Sequence, residues 1–214
     1  MTPALIAVSS IAAISAVLCI RAQLRGAERQ VFLWKPLTTA AILLLAWIAP
    51  EPVDPGYRRL IALGLAFSLA GDVFLMLPGD RFVPGLVSFL LAHGLYIAAF
   101  ADAADPARIA PALVPFAVAT GLVLRALWPH LGALRVPVCC YVAVIATMGT
   151  LALAQRLTVS ATWATSALLG ATAFVVSDAA LAFDRFRGPL RAAPLAILGS
   201  YFPAQWLIAL SVMR

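Results

Sequence analysis

Two aspartates, Asp72 and Asp178, lie within segments that are otherwise apolar, LAFSLAGDVFLMLP and ATAFVVSDAALAF. An ionised carboxylate at the centre of a bilayer costs at least ~2.5 kcal/mol on insertion scales, so an acid within a membrane span commonly has a functional use. A carboxyl group can donate a proton, accept one or stabilise a cation. One such residue alone could be structural, but two in similar surroundings indicate a paired site.

The composition is typical of a polytopic membrane protein with a single transmembrane domain over residues 1–214. Hydrophobic residues make up 64% of the chain and charged residues only 11%, whereas soluble domains have about 25% charged residues. The net charge of +6 comes from basic residues that stand singly in short loops, which is typical of topological signals. No basic run with interleaved aromatic residues occurs, so nucleic acid is not expected as a partner.

A membrane-spanning helix needs roughly 20 predominantly apolar residues, and the chain contains eight such segments. The sequence therefore predicts an all-α fold with eight transmembrane helices. The connections are short, which predicts that consecutive helices run antiparallel. The predicted spans cover residues 3–20, 35–49, 57–78, 82–101, 109–127, 135–154, 161–183 and 193–213.

The distribution of lysine and arginine predicts the orientation. Loops on one side hold ten of these residues and loops on the other side hold five, which favours the first side as cytoplasmic and both termini as external. Arginine outnumbers lysine fourteen to one, which is typical of GC-rich bacterial genomes and indicates a bacterial inner membrane. The ten residues are Arg21, Arg25, Arg29, Lys35, Arg81, Arg125, Arg135, Arg185, Arg187 and Arg191, and the five are Arg58, Arg59, Arg108, Arg156 and Arg214.

The two aspartates occupy equivalent places in the predicted topology. Each follows a small residue and precedes a leucine by three positions, in LAGDVFLML and VVSDAALAF, and they stand 106 residues apart. At ~1.5 Å per residue, both would lie roughly 6–9 Å to the cytoplasmic side of the bilayer centre. This pattern predicts two similar four-helix halves in parallel orientation, about residues 1–105 and 106–214, with a site where they meet.

Five further polar residues lie in or next to the predicted spans. His93 and Tyr96 share one helix face, as do Tyr201 and Gln205, and Lys35 precedes Pro36 at the predicted start of the second span. Each also has a structural interpretation, as a hydrogen-bonding residue between helices or, for Lys35, as a side chain that reaches the headgroups.

Several classes of site have no motif in this chain. There is no GxSxG, no HExxH and no glycine-rich phosphate loop. Cys19, Cys139 and Cys140 lie in apolar segments without a CxxC pair, and only two histidines are present, so we expect neither a metal nor a cofactor. From the residues alone, three hypotheses stay open: an enzyme that uses acid catalysis, a proton-coupled transporter that uses the same acids as a relay, and a non-catalytic lipid-binding protein.

From about residue 30 to residue 213, the chain resembles the YhhN-type lysoplasmalogenase family. The resemblance is carried by GDVFLMLP with FVPGLVSFLLAHGLYIAAF, by SDAALAFDRF with APLAILGSYFPAQWLIAL, and by Lys35-Pro36. It implies an eight-span membrane enzyme that cleaves the vinyl ether bond of lysoplasmalogen to a fatty aldehyde and glycerophospho-ethanolamine or -choline. It further implies that Asp72 and Asp178 are the catalytic pair. The residues expected to line the substrate pocket are Lys35, His93, Tyr96, Tyr201 and Gln205.

Two buried carboxyl groups suit this reaction on chemical grounds. A vinyl ether resists base but opens in acid through an oxocarbenium ion, which requires one protonated carboxyl and one carboxylate. The same division of roles between two carboxyls operates in glycoside hydrolysis. The expected partners are a lysophospholipid substrate from the bilayer and the surrounding membrane lipids, without an obligate protein partner.

Overall fold

The computed structural model describes residues 2–189 and 192–214 and confirms the predicted all-α architecture. Within these ranges, all eight long helices have the length and apolarity of membrane spans, and there is no β-strand beyond an isolated bridge between Pro52 and Met213. Two short 3-10 turns, Trp128–His130 and Gly132–Leu134, connect the fifth and sixth helices. The helices are α1 Pro3–Leu24, α2 Glu28–Ile48, α3 Pro55–Met76, α4 Phe82–Ala101, α5 Pro106–Leu127, α6 Arg135–Thr158, α7 Thr162–Arg187 and α8 Ala193–Leu210.

Helix α2 differs most from its predicted bounds. The sequence predicts a short span that begins at Lys35, whereas α2 begins at Glu28 and includes Pro36 in its interior. Hydropathy detects only the part of a helix that lies in hydrocarbon, but backbone hydrogen bonds continue into the polar interface. Lys35 is consequently an interior residue of α2, and it is buried.

Two aspartates in the connections before α3 and α5 cap these helices. The Asp54 carboxylate accepts hydrogen bonds from the amides of Gly56 at 2.6 Å and Tyr57 at 2.9 Å. Asp105 accepts one from the Ala107 amide at 2.9 Å. A proline follows each cap at the first position of the helix, where the missing amide hydrogen has no intrahelical role.

Small residues bring the helices into close contact. A Cβ atom at Gly64 of α3 would overlap the Tyr96 ring of α4, and a Cβ atom at Gly170 of α7 would lie 2.9 Å from the carbonyl oxygen of Ala204 in α8. Helix association in a bilayer depends on such packing because lipid tails remove the hydrophobic driving force between helices. Larger residues at these two positions would separate the pairs α3–α4 and α7–α8.

The helix pairings of the two halves resemble each other. Helices α1–α2, α2–α3 and α3–α4 pack together in the first half, and α5–α6, α6–α7 and α7–α8 do so in the second. Across the halves, α2 packs against α8 and α4 packs against α6, which are equivalent contacts if the halves are related by duplication. The parallel orientation of the halves stays a prediction. Arg191, one of the ten residues of the predicted cytoplasmic side, lies outside the described residues.

Candidate active site

A cavity of about 820 Å³ lies among helices α2, α3, α7 and α8. Its mouth includes residues of the α1–α2, α3–α4 and α7–α8 connections, which all belong to the predicted cytoplasmic side. Both aspartates contribute to its wall, as the paired-site hypothesis requires. The cavity is lined by Gln23, Gly26, Glu28, Val31, Phe32, Lys35, Asp72, Leu75, Met76, Pro78, Phe89, Ser177, Asp178, Leu181, Asp184, Pro189, Ala193, Pro194, Ile197, Leu198 and Tyr201.

Asp72 is an almost fully buried carboxylate with three polar partners. The Lys35 ammonium lies 3.1 Å from Oδ1. The hydroxyls of Thr39 and Tyr201 donate to Oδ2 at 2.6 Å and 2.7 Å. A buried carboxylate is tolerated when a cation and hydrogen-bond donors compensate its lost hydration. The partners of Asp72 provide both.

These partners reach Asp72 from two helices. Lys35 and Thr39 are four residues apart on α2, so their side chains lie on the same helix face, and this face packs against α3. Tyr201 projects from α8, where its own ring is buried. The Asp72 cluster therefore connects α2, α3 and α8.

Asp178 has different surroundings. The Tyr141 hydroxyl of α6 donates to its Oδ2 at 2.5 Å. His93 Nε2 of α4 lies 4.0 Å from the same oxygen, and the side chain of Asp178 retains 13% exposure. Within residues 2–189 and 192–214, no lysine or arginine forms an ion pair with Asp178. Its carboxyl is thus accessible from the cavity and has no compensating fixed cation there.

Aromatic rings connect the two acidic clusters. The His93 ring packs edge-on against Tyr141, with centroids 5.4 Å apart, and against Phe174, at 4.6 Å. Phe174 in turn packs against Tyr201 at 5.5 Å. Rings in such contacts have little freedom to reorient, so packing against His93 and Phe174 fixes the positions of the Tyr141 and Tyr201 hydroxyls.

Three residues that the sequence assigns to the substrate pocket do not line the cavity in the part of the chain that the structure describes. Tyr96 and Gln205 are fully buried, and the Tyr96 hydroxyl donates to Gln205 Oε1 at 2.9 Å. His93 is also fully buried and lies behind Tyr141 and Phe174. Lys35 and Tyr201, by contrast, line the cavity beside Asp72.

Thr39 and Tyr141 contact the aspartates but are absent from the sequence-based prediction. Helical spacing offered a signal for Thr39, which follows Lys35 by four positions. For Tyr141 the signal was the internal repeat, because Tyr141 follows Lys35 by the same 106 residues that separate Asp178 from Asp72. An acid and a polar partner thus recur at matching positions in the two halves.

An exposed ion pair lies close in sequence to Pro78 and Asp184, which line the cavity. Arg185 Nη2 at the end of α7 donates to Asp80 Oδ2 in the α3–α4 connection at 2.7 Å. This hydrogen bond lowers the pKa of Asp80 below its ordinary value. The pair links the end of α7 to the α3–α4 connection.

The eight apolar helices and the cavity that contains Asp72 and Asp178 define the class of the protein, a multi-pass α-helical integral membrane protein with an acidic intramembrane site. The YhhN family profile matches residues 30–212, and the chain belongs to the YhhN family.

The matches to named relatives cover most of the chain. The membrane protein YhhN of Escherichia coli O6:H1 is 31% identical over 93% of this chain and 95% of its own length. Human lysoplasmalogenase TMEM86B is 36% identical over 74% of this chain and 66% of its own length. A lysoplasmalogenase of Mycobacterium tuberculosis is 35% identical over 78% and 65%. No solved structure gives a significant match.

Proposed function

We propose that the protein is an intramembrane hydrolase that cleaves the vinyl ether bond of lysoplasmalogen. The products are a fatty aldehyde and glycerophospho-ethanolamine or -choline. The observation that carries the proposal is that both buried aspartates line one cavity, where Asp72 is paired with Lys35 and Asp178 has no lysine or arginine partner among the described residues. The names of the human and mycobacterial relatives support the same reaction.

The reaction needs a proton donor first and a proton acceptor afterwards. A carboxylic acid transfers its proton to the β-carbon of the vinyl ether, and the C=C electron pair forms the new C–H bond. The adjacent carbon and ether oxygen then share the positive charge of an oxocarbenium ion. Water adds to that carbon and loses a proton to the same carboxylate, and the hemiacetal collapses to the aldehyde and the glycerol hydroxyl. The net change is the addition of one water molecule.

We assign the proton donor to Asp178. Its carboxyl faces the cavity, has no fixed cationic partner within the described ranges and is oriented by the Tyr141 hydroxyl. Asp72 is unsuited to this step because Lys35, Thr39 and Tyr201 engage both of its oxygens. Its carboxylate instead fixes Lys35 and Tyr201 in the cavity wall and supplies negative charge on the side of the cavity where the oxocarbenium ion forms.

The cavity suits a single-chain amphiphile. Its mouth carries polar side chains, among them Gln23 and Glu28, while its interior includes Leu75, Phe89 and Leu198. A lysophospholipid would place its headgroup at the mouth and its ether linkage beside the acids. With the predicted orientation, the headgroup enters from the cytoplasmic leaflet of a bacterial inner membrane, and both chain termini are external.

Incubation of the purified protein with a 1-alkenyl lysophospholipid in detergent tests the reaction. We expect aldehyde from this substrate and none from the matched 1-acyl lysophospholipid, which lacks the vinyl ether. In D₂O the aldehyde should carry one deuterium at the carbon next to the carbonyl when it is trapped immediately. Absence of aldehyde from both lipids, together with solute uptake into sealed vesicles, would favour the proton-coupled transporter instead.

A further inference from the structure

A second, apolar cleft meets the cavity at Asp178. This cleft lies between α4, α5, α6 and α7 and has a volume of about 70 Å³. Its boundary and that of the cavity share Leu75, Phe89, Asp178 and Leu181. The carboxyl of Asp178 therefore stands at the junction of a wide polar-mouthed cavity and a narrow apolar cleft.

The walls of the cleft are almost entirely hydrocarbon. On α5 the lining residues Thr120, Val123, Leu124 and Leu127 follow helical spacing over about two turns, or roughly 10 Å. The hydroxyl of Thr120 is bonded within its own helix, to the Phe116 carbonyl at 2.7 Å. Among the described residues, the cleft consequently offers a ligand no free polar group apart from those at its junction with the cavity.

We propose that the apolar cleft binds the alkenyl chain of the substrate at the carbons nearest the vinyl ether. The inference rests on the proposed function, and it identifies the part of the lipid that the cleft binds. A headgroup in the cavity and a chain in the cleft place the carbon–carbon double bond at the junction, beside Asp178. The cleft is much smaller than the cavity, so it orients the start of the chain and leaves its remainder to the lipid-facing surface.

Two independent features support a hydrocarbon occupant. The cleft is continuous with the cavity through Asp178, the proposed donor, so a ligand that reaches the acid also reaches the cleft. Tyr141, which bonds Asp178, lines the cleft as well. A chain in the cleft would therefore cover the Tyr141–Asp178 hydrogen bond and exclude water from the proton donor until the double bond is in place.

Photolabelling tests the assignment without turnover. The probe is a 1-O-alkyl lysophospholipid, whose saturated ether is not cleaved, with a diazirine on the part of the chain next to the ether oxygen. In the full-length protein we expect adducts on cleft residues such as Val123, Leu127 and Val142, removed by excess unlabelled probe lipid. Adducts confined to lipid-facing residues such as Leu122, which is 61% exposed, would overturn the proposal.

A matched pair of substitutions adds a functional readout. Ala182→Phe fills the cleft, whereas Ala143→Phe adds the same ring at an exposed position of α6 that does not line it. We expect Ala182→Phe to lower cleft labelling, and kcat/KM for alkenyl lysophospholipid, at least about tenfold, and Ala143→Phe to change neither. Equal effects of the two variants contradict the proposal. Cleft labelling without any hydrolysis by the unsubstituted protein would uphold the lipid site and remove the proposed reaction.

Discussion

The surroundings of Asp72 and Asp178 differ although the two residues occupy matching positions in the sequence. Asp72 is ion-paired and doubly hydrogen-bonded, and its side chain is 1% exposed. Asp178 has a tyrosine hydroxyl, a distant imidazole and partial access to the cavity. Similar motifs can thus place one carboxylate in a fixed ionic cluster and leave the other available for proton transfer. The difference arises from the residue on the adjacent helix, Lys35 in one half and Tyr141 in the other.

The largest effect is expected from Asp178→Asn. The amide cannot donate a proton to carbon, and general acid catalysis contributes about 10²–10⁴-fold to rates, so aldehyde release should fall by at least about 100-fold. Circular dichroism and the melting temperature should remain close to those of the unsubstituted protein, because no lysine or arginine among the described residues pairs with Asp178. Asp102→Asn, at the exposed end of α4, is the matched control and should keep full activity. Retained activity in Asp178→Asn would remove the proposed donor.

Substitution of the ionic cluster should affect stability as well as activity. Lys35→Met leaves the Asp72 carboxylate buried without its cation, which typically costs about 3–5 kcal/mol. The double variant Lys35→Met/Asp72→Asn removes both charges and should recover much of that loss in thermal unfolding, while aldehyde release stays low. A double variant that is no more stable than Lys35→Met would show that the pair is not coupled.

Asp72→Asn makes a sharper test of the sequence-based hypothesis. The paired motifs predict that this variant loses activity and stays folded. In the structure Lys35 is paired with Asp72, so in this variant Lys35 would lack its counter-ion. A lower melting temperature should therefore accompany the loss of aldehyde release. Asp178→Asn should show the loss of activity alone. If both variants unfolded to the same extent, the two acids would have the same structural role.

The two tyrosines allow a finer comparison. Tyr141→Phe removes the hydroxyl that orients Asp178, and a hydrogen bond to an uncharged carboxyl is worth about 0.5–1.5 kcal/mol. Aldehyde release should therefore fall about 2- to 10-fold. Tyr201→Phe leaves Lys35 and Thr39 on Asp72 and should have the smaller effect on the rate. The reverse order, measured as kcat under saturating lipid, would contradict the assignment of Asp178 as donor.

The smallest effect is expected at the exposed ion pair between Asp80 and Arg185. Asp80→Asn removes an ion pair whose side chains are 64% and 40% exposed, and exposed pairs contribute little to stability because water screens them. Since the pKa of Asp80 is lowered in the folded state, the pair stabilises the fold above the ordinary pKa of aspartate and ceases to do so as the pH falls through the lowered value. Melting curves of Asp80→Asn and the unsubstituted protein at neutral pH should coincide. A clear difference would mean that the α3–α4 connection and the end of α7 unfold together with the rest of the protein and that the pair stabilises them.

Much of the fold could be predicted from the sequence because the bilayer constrains it. Eight apolar segments give eight helices, but α3 and α5 begin two and three residues before the predicted spans, at the prolines that follow the capping residues Asp54 and Asp105. The start of α2 was not predicted correctly, because hydropathy detects the hydrocarbon boundary and not the end of the helix. For the same reason Lys35 was assigned to the edge of a span although it lies inside one.

The candidate site could be predicted only in part. The cost of burying a charge pointed to Asp72 and Asp178, whose shared cavity agrees with the pairing. The difference between their surroundings was not predictable, because it depends on which residues of α2, α4, α6 and α8 face each acid. The family resemblance placed Tyr96 and Gln205 in the pocket, whereas helix packing turns both into the bundle interior, where they bond to each other. Their proposed part in substrate binding stays a prediction.

The infrared spectrum of the purified protein tests the central difference between the two acids most directly. The account predicts a carbonyl band of a protonated carboxyl at neutral pH that is shifted in D₂O, is lost in Asp178→Asn and persists in Asp72→Asn. A band that disappears in Asp72→Asn and persists in Asp178→Asn would contradict the account, because the proton would then reside on the ion-paired acid.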